Sequence, residues 1–299
     1  MQRFRSLFFF TGILYCLLSA SVPATDKPTI TWLSTDWEPI WIRKGPLADQ
    51  GYAQSIERLV QKKLPNYTHK NQRIVSVRTY SILKTKESCF SVSAYKGADL
   101  PKEQRKGLLW SAPNSIFFYH GLIAHNDAVP VISRHMEDGY VNLASLVGDE
   151  NLIGLYQPGR VYSRWITPIL SNERNQTNLF RWSSNLDLAE RIFRMLKAKR
   201  MDYTIDYSFL LKFHEETSGE VSQYTYLPLL EHRNTIGLSS FVCKDSEIGR
   251  ALIRDINKIL IRLRKTEEYK RLSSRWLIPK GYENLYWDYW QTALLPLEE

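Results

Sequence analysis

The stretch from Thr31 to Pro113 decides the architecture. It opens on a β-branched strand, Thr29 to Leu33, and runs into Thr35-Asp36-Trp37-Glu38-Pro39. Gly51-Tyr52 then opens an amphipathic helix, in which Ile56, Leu59, Val60 and Leu64 recur at helical spacing before Pro65 stops it. Arg73 to Thr79 reads as the next strand and Ser81 to Lys86 as a short helix. Next comes the strand-like run Cys89-Phe90-Ser91-Val92-Ser93-Ala94-Tyr95. Arg105 stands shortly before Trp110-Ser111-Ala112-Pro113, and Phe117 to Ala124 is an apolar strand that leaves this first unit.

Strands and helices alternate, which indicates an α/β architecture. The rhythm restarts with a strand at Asn151 to Tyr156 and a helix from Gly159. An amphipathic helix over Leu186 to Lys199 and a short strand at Tyr203 to Ile205 follow. A strand at Ile236 to Val242 then precedes the clearest apolar stripe of the chain, Ile248, Leu252, Ile256, Ile259, Leu260 and Leu263. A restart and a late return predict two lobes joined by a double crossover. Residues 28–123 and 234–299 are expected in one lobe and 124–233 in the other, with crossings near Leu122-Ala124 and Glu231-Thr235.

The N-terminus reads as a cleavable export signal over residues 1–24. Arg3 and Arg5 precede an apolar run from Leu7 to Ala20, and Val22-Pro23-Ala24 offers a cleavage site. That run is shorter than the about 20 residues of a membrane span. Removing 24 of 299 residues leaves 275, and because the segment carries two arginines and no acid the net charge falls from +9 to +7. The basic residues are dispersed and accompany no recognition motif, so a nucleic-acid partner is not expected. The charge suits work near anionic lipid or on anionic solutes. Two cysteines remain, Cys89 and Cys243, with no C-x-x-C spacing and no histidines placed for zinc, so no metal is expected. Outside the cytoplasm they are either a disulfide or two buried thiols.

An exported chain with this order of elements resembles the family 3 bacterial extracellular solute-binding proteins. The resemblance implies the type II periplasmic-binding-protein fold and capture of a small solute between two lobes. It aligns Trp37 with the aromatic that packs over the ligand, with Trp41 as a second candidate. Ser91, Ser93 and Tyr95 align with the strand end that supplies hydroxyls and amides. Alternation along a strand puts these three on one face. Arg105 corresponds to the arginine that clamps a carboxylate, although the loop before it is long, and Lys102 or Lys106 could substitute. In the second lobe, Gly154 to Ser163 resembles the family's glycine-bearing segment at an anion-binding helix start, giving Gly159, Arg160 and Tyr162 as candidates. The spacing from Asp202 puts either Asp206 or Tyr207 where the family pairs a ligand ammonium, and Tyr207 there would weaken the case for an amino acid.

No G-x-S-x-G elbow, H-E-x-x-H or phosphate loop is present, and the histidines fall in no triad pattern, so no enzyme and no cofactor are expected. Acid–base chemistry on this fold would fall to a cleft carboxylate, for which Glu38 beside Trp37 is the candidate. The resemblance implies a monomeric periplasmic protein that captures a small polar, carboxylate-bearing solute such as an amino acid. Delivery to an ABC permease and reporting to a membrane sensor both remain open.

Overall fold

The computed structural model describes residues 26–158, 160–172, 177–182 and 188–297. The export signal expected over 1–24, Gly159 and the first two residues of the helix expected from Leu186 lie outside them. Two five-stranded sheets organise the chain. The first contains β1 (Thr29–Ser34), β2 (Thr68–Arg73), β3 (Ser88–Ala94), β4 (Leu108–Phe117) and, far along the sequence, β12 (Gly237–Lys244). Their order is β2-β1-β3-β12-β4, with β1 parallel to β2 and β3, and β12 antiparallel to both neighbours. The second contains β5 (Gly121–His125), β8 (Gly154–Tyr156), β9 (Leu179–Arg181), β10 (Tyr203–Asp206) and β11 (Tyr224–Pro228), ordered β11-β5-β10-β8-β9. A two-stranded ribbon, β6 (Met136–Glu137) and β7 (Tyr140–Val141), completes the set.

The chain thus passes from the first sheet to the second once and returns once, the two-lobed, doubly crossed α/β architecture. The first passage lies at 118–120. The strand expected over Phe117 to Ala124 is instead two strands, because Phe117 ends β4 in one sheet and Gly121 begins β5 in the other. That puts Leu122 and Ile123 in the second sheet rather than the first. The return runs from 229 to 236.

A second difference concerns the strand expected at Arg73 to Thr79. β2 is the polar segment Thr68–Arg73, an edge strand whose side chains are half-buried or exposed, so it carries no apolar alternation. The β-prone Ile74 to Val77 lies beyond it and reaches the rim of the interlobe cleft. Gly51 has a backbone reason for being glycine. A Cβ there would sit 2.6 Å from the Ile40 carbonyl, while Gln54 Oε1 accepts from the Ile42 N–H at 2.9 Å. The helix Tyr52–Gln61 therefore starts in contact with the loop that carries Trp37.

Three C-terminal helical segments close over the first lobe. Arg264, 1% exposed, donates from Nη1 to the carbonyls of Pro113 (3.1 Å) and Leu294 (2.9 Å), and from Nη2 to Leu297 (2.5 Å). A buried guanidinium thus ties the aromatic tail to β4, and Tyr286 and Trp290 are fully buried. Among the described residues no helix is long and apolar enough to cross a membrane. No described group of three or more His, Cys, Asp or Glu could hold a metal ion.

Where the two passages meet, His232 on the return bonds the outgoing one. Its Nδ1 lies 2.8 Å from the His120 carbonyl, so Nδ1 carries the proton and Nε2 accepts from the Ser163 hydroxyl at 2.6 Å. Tyr119 stacks on the same ring at 4.9 Å. One imidazole links both connections and the second lobe.

Cys89 in β3 and Cys243 in β12 are directly opposed in register, with Cα atoms 4.2 Å apart, and are joined as a disulfide 154 residues apart in sequence. Closing so long a loop in the unfolded chain is costly, about 5 kcal/mol in the chain-entropy picture. Replacing both cysteines by serine is expected to cost about 2–5 kcal/mol, read as a lower urea midpoint. An unchanged midpoint would show that the bridge does not constrain the unfolded chain.

Burial holds the His232 imidazole down to about 4 from its ordinary 6.5. The unfolded chain therefore takes up a proton as pH falls through 6.5, while the folded one resists until about 4, and stability drops across that window. His120, buried and also held below its ordinary value, steepens the same slope. The His232→Gln variant should lose up to about 3 kcal/mol of this acid sensitivity. Unfolding temperatures of the two proteins between pH 7 and 4.5 would check this, and parallel curves would refute it.

Candidate functional site

A cleft of about 570 Å³ lies between the lobes and takes side chains from both. From the first lobe come the loop after β1 (Thr35, Asp36, Trp37), the rim Arg73 to Val77, Tyr80, the β3 residues Phe90, Val92 and Ala94, and Asp99. Phe117 at the end of β4 and Tyr119 and His120 in the outgoing passage line it as well, and the second lobe supplies Gln157, Pro158, Arg160, Val161, Leu188 and Tyr207. A cavity lined mainly by apolar and aromatic groups, with a few converging polar ones, is the ordinary form of a small-molecule site.

Trp37 stands on the first-lobe wall, half-buried, because β1 ends just before it and the loop is held against the helix at Tyr52. Across the cleft the Arg160 guanidinium lies over its indole at 5.1 Å, while the Tyr207 and Phe209 rings approach at 5.7 and 5.9 Å. Arg160 is held from below, where Nη1 donates to Asp206 Oδ1 at 2.6 Å. Asp206, at the end of β10, is 0% exposed and also accepts from Gln157 Nε2 (3.1 Å) and the Tyr207 N–H (2.8 Å). The position left open between Asp206 and Tyr207 thus presents Tyr207 to the cleft, with Asp206 beneath as the counter-charge of Arg160. Tyr162 is buried behind this loop, where its hydroxyl oxygen accepts from the Gln157 N–H at 2.9 Å. Gly159 lies outside the described residues.

Ser91, Ser93, Tyr95 and Arg105 are not among the residues lining the cleft. The serines do share a face of β3, as alternation requires, but it is the face turned toward the lobe interior. The Ser91 hydroxyl donates to the Glu57 carboxyl, and Ser93 Oγ accepts from Trp110 Nε1 at 3.1 Å and meets the Tyr80 hydroxyl at 3.3 Å. Burial pushes the Glu57 carboxyl up to about 8, so it is protonated at neutral pH and the Ser91–Glu57 pair is an uncharged core contact. Phe90, Val92 and Ala94 occupy the cleft face instead. Tyr95 sits beyond the strand with the Lys96 ammonium 5.0 Å from its ring. Arg105 braces its own loop, donating from Nε to the Leu100 carbonyl at 2.8 Å and from Nη2 to Ala98 at 3.3 Å. The lengthened loop before it needs those bonds because its carbonyls have no strand partner. Lys106 pairs with Glu103 on the exposed surface, and Lys102 is exposed as well. Trp41 is 1% exposed in the first-lobe core, 5.2 Å from Phe90. Glu38 does not line the cleft.

The carboxylates that do line it are Asp36 and Asp99. Asp36 accepts from Arg43 Nε at 2.9 Å and Arg73 Nε at 3.1 Å. Asp99 accepts from the Tyr119 hydroxyl (3.4 Å) and the Arg164 N–H (3.3 Å), and burial raises its carboxyl above the ordinary value. Sequence reasoning did not reach Asp99, Tyr119 or His120. The signal was there in the aromatic run Phe117-Phe118-Tyr119-His120 at a lobe crossing, where side chains face both lobes.

No family model and no curated protein matches the chain. Among solved structures its fold is similar to a histidine kinase sensor domain with similarity to periplasmic binding proteins, at TM-score 0.59 and 14% identity over 84% of this chain and 96% of that one. An ABC uptake transporter substrate-binding protein from Streptococcus pneumoniae with bound histidine gives 0.59 and 14%, over 84% and 92%. The probable amino-acid ABC transporter extracellular-binding protein of Bacillus subtilis gives 0.57 and 18%, over 84% and 98%. Likeness at these identities is one of fold, and the chain has the two-lobed fold of the periplasmic binding proteins.

Proposed function

We propose that the chain is a solute-binding protein of the periplasm that captures a small carboxylate-bearing solute between its lobes and acts as a monomer. The observation that carries this is Arg160, a guanidinium inside an interlobe cleft, fixed by a second-lobe carboxylate and stacked on a first-lobe indole. Such a group joins the lobes and still has a nitrogen, Nη2, without a hydrogen-bond partner among the described residues. A carboxylate accepting from it gains a charge-assisted bond in a site shielded from water. Ligand contacts on both lobes favour the closed form by the difference in affinity between closed and open states.

Uptake through an ABC permease and reporting to a membrane sensor both suit this geometry. The similar folds include transport proteins and a kinase sensor domain. A permease gene beside the coding sequence supports uptake, and a membrane sensor gene supports reporting. Binding rather than catalysis is the reading we favour. Asp99, a cleft carboxylate whose pKa burial raises, is bonded to Tyr119 and Arg164 rather than set against an open reaction space.

The test begins with the solute that co-purifies with the protein, identified by mass spectrometry and titrated by calorimetry. Arg160→Gln is expected to weaken binding by about 2 kcal/mol or more. Arg105→Ala, which only loosens a loop, should change affinity by less than about 0.5 kcal/mol. A large loss in the Arg105 variant with none in the Arg160 variant would return the anchor to the first lobe.

A further inference from the structure

We infer that the cleft takes an apolar monocarboxylate that carries no cationic group, and that free α-amino acids are poor ligands. This rests on the capture reading above and narrows it. The cleft's hydrogen-bonding groups are out of balance in one direction. His120, 1% exposed and neutral, has neither ring nitrogen hydrogen-bonded, which leaves one N–H without an acceptor and one bare nitrogen without a donor, while Arg160 Nη2 and Trp37 Nε1, donors only, have no acceptor among the described residues. No buried side-chain oxygen of a cleft-lining residue is in that state among them. Buried N–H groups without acceptors are costly, so the group that completes this site brings acceptors.

The negative charges that an ammonium would need are already engaged. Asp206 is fully buried and spends its oxygens on Arg160, Gln157 and the Tyr207 N–H. Asp36 is shared by Arg43 and Arg73. Asp99 accepts from Tyr119 and Arg164, and its charge is already disfavoured by burial. An ammonium enclosed here would lose its water and gain no carboxylate of its own, the costliest form of burial. A carboxylate has the opposite fortune. Asp206 occupies only Nη1 of Arg160, which leaves Nη2 to a second acceptor, and Trp37 and His120, each with one N–H to donate, line the same cavity.

Most of the remaining surface is apolar, interrupted by the hydroxyl residues Thr35, Ser76, Thr79 and Tyr80. Phe90, Val92 and Phe117 face the cleft from the first lobe and its exit, and Val161, Leu188 and Tyr207 from the second. A space of about 570 Å³ with such walls fits a ring or alkyl body behind the carboxylate. Apolar walls stabilise that body by removing its area from water, and they offer the ammonium of a zwitterion no counter-charge.

Ligands that share a body and differ in charge test this on the unaltered full chain. Calorimetric titration would compare 3-phenylpropanoate, L-phenylalanine and 2-phenylethylamine, with octanoate as the alkyl counterpart. The expected result is that 3-phenylpropanoate or octanoate binds at least about tenfold more tightly than L-phenylalanine, about 1.4 kcal/mol, and that the amine does not bind. Arg160→Gln should weaken the carboxylate about tenfold. The comparison among ligands stands without it if that variant folds poorly. L-Phenylalanine binding as tightly as 3-phenylpropanoate overturns the inference and leaves solute capture intact. The same holds if both carboxylates fail while a member of an L-amino-acid panel raises the unfolding temperature. If neither carboxylate nor any amino acid of the panel binds, both readings fall.

Discussion

The contact on which the cleft depends is the ion pair between Arg160 and Asp206. A carboxylate with no exposed surface at the end of a central strand would be costly by itself, and its three donors make it tolerable. One of these is the backbone N–H of Tyr207, which turns the chain and presents the tyrosine ring to the cleft. Another is Gln157, in the loop after β8, whose own N–H is held by Tyr162. Asp206 thereby shapes two second-lobe segments and steers the guanidinium onto Trp37. Removing the carboxylate would release all of these at once, so its effect would exceed that of any one bond.

The hinge follows a similar economy. Both interlobe connections are short, and one neutral imidazole, His232, joins them to each other and to Ser163. Aromatic rings fill the space around it, with His120 3.9 Å from Tyr207 and 4.6 Å from Tyr162 between ring centroids. The cleft and the hinge therefore share a wall. A side chain moved by a ligand against His120 or Tyr119 also moves the groups that set the angle between the lobes.

Much of the fold was legible in the sequence because it rests on periodicity. The stripe from Ile248 to Leu263, the helix after Gly51 and the late return of a strand at Ile236 are local patterns with few alternatives. The site was less legible, because facing depends on what packs behind each strand. Ser91 and Ser93 alternate as a ligand-binding edge would, and the partners behind them, the protonated Glu57 for Ser91 and Trp110 and Tyr80 for Ser93, explain why the hydroxyls point inward. Arg105 stands before Trp110-Ser111 as the resemblance requires, yet the longer loop before it consumes its donors. The helix expected from Gly159 begins only at Thr167, so Arg160 lies in the loop before it rather than at a helix start, and its partner is 46 residues away in sequence. β2 was misplaced because an edge strand needs no apolar face. Contacts between residues distant in sequence decide each of these, and no spacing rule encodes them.

The bridge between Cys89 and Cys243 has a topological consequence. It closes the first lobe's sheet across β3 and β12, so β4 and the whole second lobe lie within a covalent ring. The two outer parts of the chain are joined through sulfur as well as through the peptide backbone. A protease that cuts once anywhere between residues 90 and 242 produces two polypeptides but leaves a single molecule, which separates on a gel only after a reductant is added. In an oxidising compartment the second lobe can be nicked without the first coming apart.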